Sequence, residues 1–185
     1  MGRETEMMYR RKLNVEELNR ISVKEFREAP KIPLVVVLDN VRSRHNIGSV
    51  FRTCDAFRVE EIILCGIAAP PPDAEIHKTA LGAEDSVKWR YFAEPISAIK
   101  ELKTNGYTVF SIEQTRNSLS LETLTLDRRR RYAVILGHEV HGVQQEVIDA
   151  SDNCIEIPQY GTKHSLNVSV TAGIVIWDFF KQLSE

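Results

Sequence analysis

Six short apolar runs, alternating with stretches of helical spacing or polar loop, constrain this chain more than any other feature. "IPLVVVLDN" (32–40) is unbroken and rich in valine, the pattern of a strand covered on both faces of a parallel sheet. "EEIILCG" (60–66), "KWRYF" (88–92), "YTVFSIE" (107–113), "YAVILG" (132–137) and "NCIEIP" (153–158) read as further strands. Helical stretches lie between them at 46–57, at 144–152, and at 95–106, where Pro95 sits in the first turn and Gly106 past the end. The connection 70–87 predicts a short helix around Glu75–Leu81. Strands alternating with helices give an α/β fold with a mainly parallel sheet and helices on both faces.

The two ends are less regular. "NVEELNRISVKEFREA" (14–29) predicts an amphipathic helix capped by Asn14 and stopped at Pro30. It marks residues 1–30 as an N-terminal helical extension ahead of a domain at 31–185. The final apolar run fits two patterns. Val168, Val170 and Ala172 alternate with polar residues as in a strand, whereas Leu166, Val170, Ile174 and Trp177 recur at helical spacing. A helix is expected, because one more crossover requires it and the length suits it.

The 185 residues fit one domain. A formal net charge of −2 supplies no global positive field, so contact with nucleic acid must come from a local patch. Cys54, Cys65 and Cys154 are scattered and form no C-x-x-C pair. That argues against a disulfide framework or zinc knuckle and for a reducing cytoplasm. No signal-peptide core opens the chain, and the C-terminal apolar run is broken by Asn167, Ser169, Thr171 and Asp178, so no membrane span is expected.

Ligands of open α/β sheets sit beyond the carboxyl ends of the strands. Three such ends here carry unusual polar residues: "DNVRSRHNIGSVFRT" (39–53), "LGHEVHGV" (136–143) and the stretch around "IPQYGTKHSLNVSV" (157–170). Each has an ordinary reading too. Asn46, Ser165 and Asn167 are each good helix caps, Gly48, Gly137, Gly142 and Gly161 suit turns, and Arg52 could pair with Asp55 or Glu61. His138 and His141 flank Glu139 without a third ligand in view, so no metal is expected. "DRRRRY" (127–132) is either a solvated face or a phosphate contact. No G-x-G-x-x-G follows the first strand, and neither a P-loop nor a G-x-S-x-G elbow occurs.

Taken together, "NIGSVFRTCDAF", "LGHEVHGV" and "IEIPQYGTKHSLNVSVTAGI" closely resemble, in order and separation, the three motifs of the SpoU/TrmH family of RNA ribose 2′-O-methyltransferases in the SPOUT superfamily. The similarity spans roughly residues 33 to 180; Val143 stands where the family usually has leucine. The resemblance implies a C-terminal deep trefoil knot, a homodimer, and S-adenosylmethionine bound in the knot. Matching cofactor positions are Leu136, Gly137, Ile157, Pro158 and Leu166, with residues after Glu113 closing the adenine side. It further implies Arg52 as the central catalytic residue, stabilising a developing 2′-oxyanion or gripping a phosphate. Asn46 would orient Arg52 or the ribose, Ser165 and Asn167 would bond near the transferred methyl, and Glu139 would fasten the loops by accepting backbone N–H groups. Candidate RNA contacts are Arg42, Arg44, Arg128, Arg129 and the "YRRK" segment (9–12). A structured tRNA is the expected substrate. Ribosomal RNA, or a non-catalytic RNA-binding protein that keeps the fold, are the alternatives.

Overall fold

The fold was obtained as a computed structural model that describes residues 11–184. Seven strands form one sheet in the order β3-β2-β1-β6-β4-β7-β5, and every pairing is parallel. The strands are β1 (Ile32–Asp39), β2 (Val59–Cys65), β3 (Trp89–Phe92), β4 (Tyr107–Ile112), β5 (Leu119–Ser120), β6 (Arg131–Leu136) and β7 (Asn153–Glu156). Six were expected. The seventh, β5, is two residues long and pairs only with β7, and its neighbourhood has no apolar run by which to find it.

The unbroken apolar character of β1 has a direct cause: both faces are covered. Leu34, Val36 and Leu38 join a cluster with α2 (Arg44–Ala56), α3 (Ala74–Ala80) and α7 (Val168–Leu183). Val35 and Val37 join the opposite cluster with α5 (Pro95–Thr104) and α6 (Gln145–Ala150). Two short helices complete the set, α1 (Val23–Glu28) and α4 (Ala83–Ser86). Cys54, Cys65 and Cys154 are free and buried, and burial next to Asp39 pushes Cys65 up to about 12. No helix among the described residues is long and apolar enough to cross a membrane.

The expected helix over 14–29 is corrected to two pieces. Asn14 does cap, but only a single turn, exchanging bonds with Glu17 at 2.8 Å in both directions. Asn19 then turns left-handed, at φ 46°. A second capping box starts at Ser22, whose N–H donates to Glu25 Oε2 at 2.7 Å while its Oγ accepts from Glu25 N at 3.3 Å, and α1 ends just before Pro30. Two start signals compete in one short run, and of its apolar residues only Phe26 is buried, so no packed face supports a continuous helix. Residues 9–10 of the "YRRK" segment lie outside the described residues, and Arg11 pairs with Glu17.

Two further differences position the site. Helix α2 starts two residues earlier than expected: Ser43, not Asn46, is the N-cap, which places Asn46 inside the first turn with its amide free for other partners. Gly48 serves packing rather than a turn, since a Cβ there would overlap Thr79 and the backbone of Ile76 in α3. At the C-terminus the helical reading holds, with Asn167 as N-cap, its Oδ1 accepting from Ser169 N at 2.9 Å. Val168, Ala172, Val175, Ile176, Phe179 and Leu183 face the core, while the stripe Val170, Ile174, Trp177 faces outward.

Candidate active site

All strands end in the same direction, so their carboxyl-end loops gather at one edge, where a cavity of about 690 Å³ opens. Three segments wall it: 112–115 after β4, 136–143 after β6, and 155–168 after β7. Of the expected cofactor positions, Leu136, Gly137, Ile157 and Leu166 line the cavity, as do Glu139, Ser165 and Asn167; Pro158 does not. The volume falls in the range of small-molecule sites.

The loop after β6 owes its shape to two glycines. His138 and Gly142 bond in both directions, N–H to O at 3.0 and 2.8 Å, closing the loop on itself. Gly142 sits at φ 66°, a conformation that disfavours side chains. A Cβ on Gly137 would overlap the backbone of Gly142 and Val143. Substitution Gly137→Ala is therefore expected to force this wall outward, at about 1–3 kcal/mol in stability by urea denaturation. Cofactor affinity, measured by calorimetry, should drop by about tenfold or more. His138 Nδ1 accepts from Val140 N at 3.0 Å, so this histidine organises the loop. Its ring stacks on His141 at 4.8 Å, and among the described residues no three His, Cys, Asp or Glu side chains converge as a metal site.

A chain of side-chain hydrogen bonds joins the three motifs. Glu139 Oε2 accepts from Arg42 N at 3.0 Å, and Oε1 accepts from Ser43 N at 2.9 Å and Asn46 Nδ2 at 3.0 Å. Asn167 Nδ2 in turn donates to Asn46 Oδ1 at 3.3 Å. Partial burial pushes the Glu139 carboxyl up, but these donors outweigh it and hold the group below the ordinary carboxylate range. The early start of α2 is what frees the Asn46 amide for this bridge.

Three ties went unseen in the sequence. Asp39, fully buried at the end of β1, accepts from Gln144 N at 3.1 Å and Gln144 Nε2 at 2.8 Å, clasping β1 to the start of α6. Glu113 Oε2 accepts from Val143 N at 3.1 Å, and Gln114 Nε2 donates to His164 O at 2.8 Å across the cavity. An acid ending an apolar strand was the only signal for the first.

Arg52 stands apart. It is exposed on α2, in a shallow depression with Ser49, Thr53, Lys78 and Thr79, and is not among the residues lining the large cavity. The arginine candidates divide as well. Arg42 lies on the loop held by Glu139 and Arg44 opens α2, paired to Asp73 at 2.8 Å. Arg128 and Arg129 lie before β6, at the opposite end of the sheet, where Arg128 Nε donates to Gln182 O at 2.8 Å and Arg129 pairs with Asp127 at 3.1 Å.

A family model described as the SpoU rRNA Methylase family matches residues 33–177. The chain belongs to this family. The SpoU match contains every segment that walls the cavity. A 23S rRNA (guanosine-2′-O-)-methyltransferase of Nitrosomonas europaea is 35% identical over 153 residues, 82% of this chain and 57% of the relative, so the chain spans little more than half that protein's length. A tRNA (guanosine(18)-2′-O)-methyltransferase of Aquifex aeolicus is 30% identical over 166 residues, 88% of this chain and 76% of the relative. Among solved structures, an AdoMet-bound rRNA methyltransferase from Sinorhizobium meliloti shares the fold, with a TM-score of 0.76 at 24% identity over 86% of this chain and 61% of that one.

Proposed function

We propose that this SpoU-family chain uses S-adenosylmethionine to methylate a ribose 2′-hydroxyl of RNA, with tRNA as substrate and ribosomal RNA as the alternative. The observation that carries the reading is the Glu139–Asn46–Asn167 bridge, which gathers all three motifs at one cavity mouth. The walls fit the cofactor: Leu136, Ile157 and Leu166 are apolar, and Gly137 leaves room for a ligand to approach the backbone. When bound, the cofactor supplies an electrophilic methyl on sulfur. Asn167 and Ser165 border the cavity where a ribose oxygen would be held in line, and Arg52 would stabilise the oxygen as it loses its proton to a phosphate oxygen. The larger covered share of the Aquifex tRNA enzyme favours tRNA.

The reading includes a trefoil knot. Its support is that segment 113–130 wraps β7: it passes from β4 to pair beyond β7 as β5, then returns to β6 on the α7 side through buried Leu121 and Leu126. The chain leaving β7 then crosses back to α7, fastened by the Gln114–His164 bond. A homodimer is part of the same reading. The outward stripe of α7, with Val170 51%, Ile174 38% and Trp177 48% exposed, offers an apolar face, and a second copy would bring its Arg52 to the cavity. Arg42 and Arg44 would meet RNA near the site, and Arg128 and Arg129 a part of the RNA extending past it. Free buried cysteines accord with a cytoplasmic setting, and within the extension at 1–30 helix α1 would cover the core through Phe26.

Incubation with tritiated S-adenosylmethionine and total tRNA or rRNA is expected to leave label on ribose 2′-oxygens of one pool. Tight cofactor binding with no transfer to either would replace the enzyme by an RNA-binding protein.

A further inference from the structure

Two imidazole rings on the loop after β6 are left without a role by the Glu139–Asn46–Asn167 bridge. His138 and His141 stack with ring centroids 4.8 Å apart and an interplanar angle of 28°. The stack is held in place. His138 Nδ1 accepts from Val140 N at 3.0 Å and from His141 N at 3.4 Å, and the reciprocal backbone bonds of His138 and Gly142 close the loop. His138 covers one face of the His141 ring, and among the described residues no other aromatic ring stacks on it. His141 is exposed.

Both rings line the large cavity, and so does Val140, which is 72% exposed. Leu136 and Ile155 line it too but are buried, so they form its floor and the loop tip forms its rim. An RNA is far too large for a space of about 690 Å³ and can meet only the rim, whereas a small cofactor reaches the floor. Among the described residues no Phe, Tyr or Trp lines this cavity; its aromatic rings are His138, His141 and His164. Unstacked bases are held on aromatic faces, histidine included. Glu139, between the two stacked histidines in sequence, holds the start of α2 and, through Asn46, reaches Asn167. A base is joined directly to its ribose, so a sugar held at that bridge brings its base beside this loop.

We propose that His141 is a substrate-positioning residue, its uncovered face stacking on the base of the nucleotide whose ribose is methylated, with Val140 as an apolar shoulder. The proposal rests on the reading of the chain as an RNA methyltransferase and adds a base contact to it. Every base has a π-face, so the platform fixes the plane of the base without selecting among bases.

The test uses the full chain and whichever pool, tRNA or rRNA, accepts label from tritiated S-adenosylmethionine. His141→Gln keeps a hydrogen-bonding group but no ring, and should raise KM for RNA about tenfold. The sugar keeps its own hold at the bridge, so kcat falls less than KM rises. His141→Phe keeps a ring and loses the nitrogens, and its KM should stay within about twofold of wild type. Cofactor affinity by calorimetry should hold within about twofold in both variants. An unchanged KM in His141→Gln, or an equal rise in His141→Phe, would overturn the assignment. So would a loss of cofactor affinity with KM for RNA unchanged, which would give the stack to the cofactor's adenine. Binding is read separately, from the anisotropy of dye-labelled total tRNA with S-adenosylhomocysteine present. A chain that transfers no methyl, yet loses tRNA affinity in His141→Gln and keeps it in His141→Phe, would sink the enzymatic reading and leave the platform standing. Equal tRNA affinity in all three chains would sink the platform as well.

Discussion

Replacing Glu139 with alanine is expected to collapse activity and loosen the fold together. Its two oxygens hold three donors, two of them backbone N–H groups at the start of α2 and the third the Asn46 amide. Bonds to a charged acceptor are among the stronger ones, and partial exposure moderates their loss, so a destabilisation of about 2–4 kcal/mol by urea denaturation is expected. The activity loss should be larger than stability explains. Asn46 loses its anchor, and through it Asn167 loses the contact that sets the entry to α7. A displacement of about an ångström at the cavity mouth is enough to cost about a hundredfold in transfer rate, read with tritiated cofactor at saturating RNA. Glu139→Gln should retain part of the stability, because an amide oxygen can accept one pair of donors while its NH₂ opposes another. The pH sign follows from the depressed carboxyl: the stabilisation is complete above the unfolded-state carboxylate range and fades as pH falls through the lower folded value. A wild-type chain that loses no more stability on acidification than Glu139→Gln would contradict this role.

How much of this was legible beforehand depended on whether a feature is local. The strand β1 declared itself because burial on both faces removes the need for polar alternation, and the helix at 95–104 because Pro95 and Gly106 punctuate it. The division of 14–29 was missed because periodicity says nothing about whether a face finds a partner. Val15, Leu18 and Ile21 keep helical spacing, yet remain exposed. The cap of α2 shifted from Asn46 to Ser43 for a reason that lies 96 residues away, where Glu139 demands the Asn46 amide and the Ser43 N–H. Motif order marked the cavity walls, but the clasp of Asp39 on Gln144 spans 105 residues and left no pattern in either segment. The arginine run reads from sequence as one basic patch. Folding commits its members to Gln182, Asp127 and Glu60 at the end of the sheet opposite the cavity.

Arg52→Ala is expected to reduce methyl transfer by about a thousandfold while leaving the fold and cofactor binding as they are. The structural half follows from placement: the side chain is exposed, engages no described residue in a hydrogen bond or ion pair, and lies outside the cavity lining. Removing it should move the unfolding midpoint by little, and cofactor affinity measured by calorimetry should be unchanged. In the proposed homodimer the catalytic half falls to a second copy, because within one chain the guanidinium lies outside the cavity lining. Subunit mixing separates the two possibilities. Arg52→Ala keeps a good cavity and Gly137→Ala keeps a good arginine, and with cofactor well below the dissociation constant each variant alone transfers at most about a tenth as fast as wild type. If the arginine acts across the interface, a mixed dimer rebuilds one complete site out of two, and random exchange of equal amounts restores roughly a quarter of wild-type transfer. If it acts within its own chain, every mixed dimer carries one defect in each site and nothing is restored. Recovery absent under conditions where sedimentation shows mixed dimers would end the shared-site arrangement, and transfer undiminished in Arg52→Ala alone would remove this arginine from the chemistry.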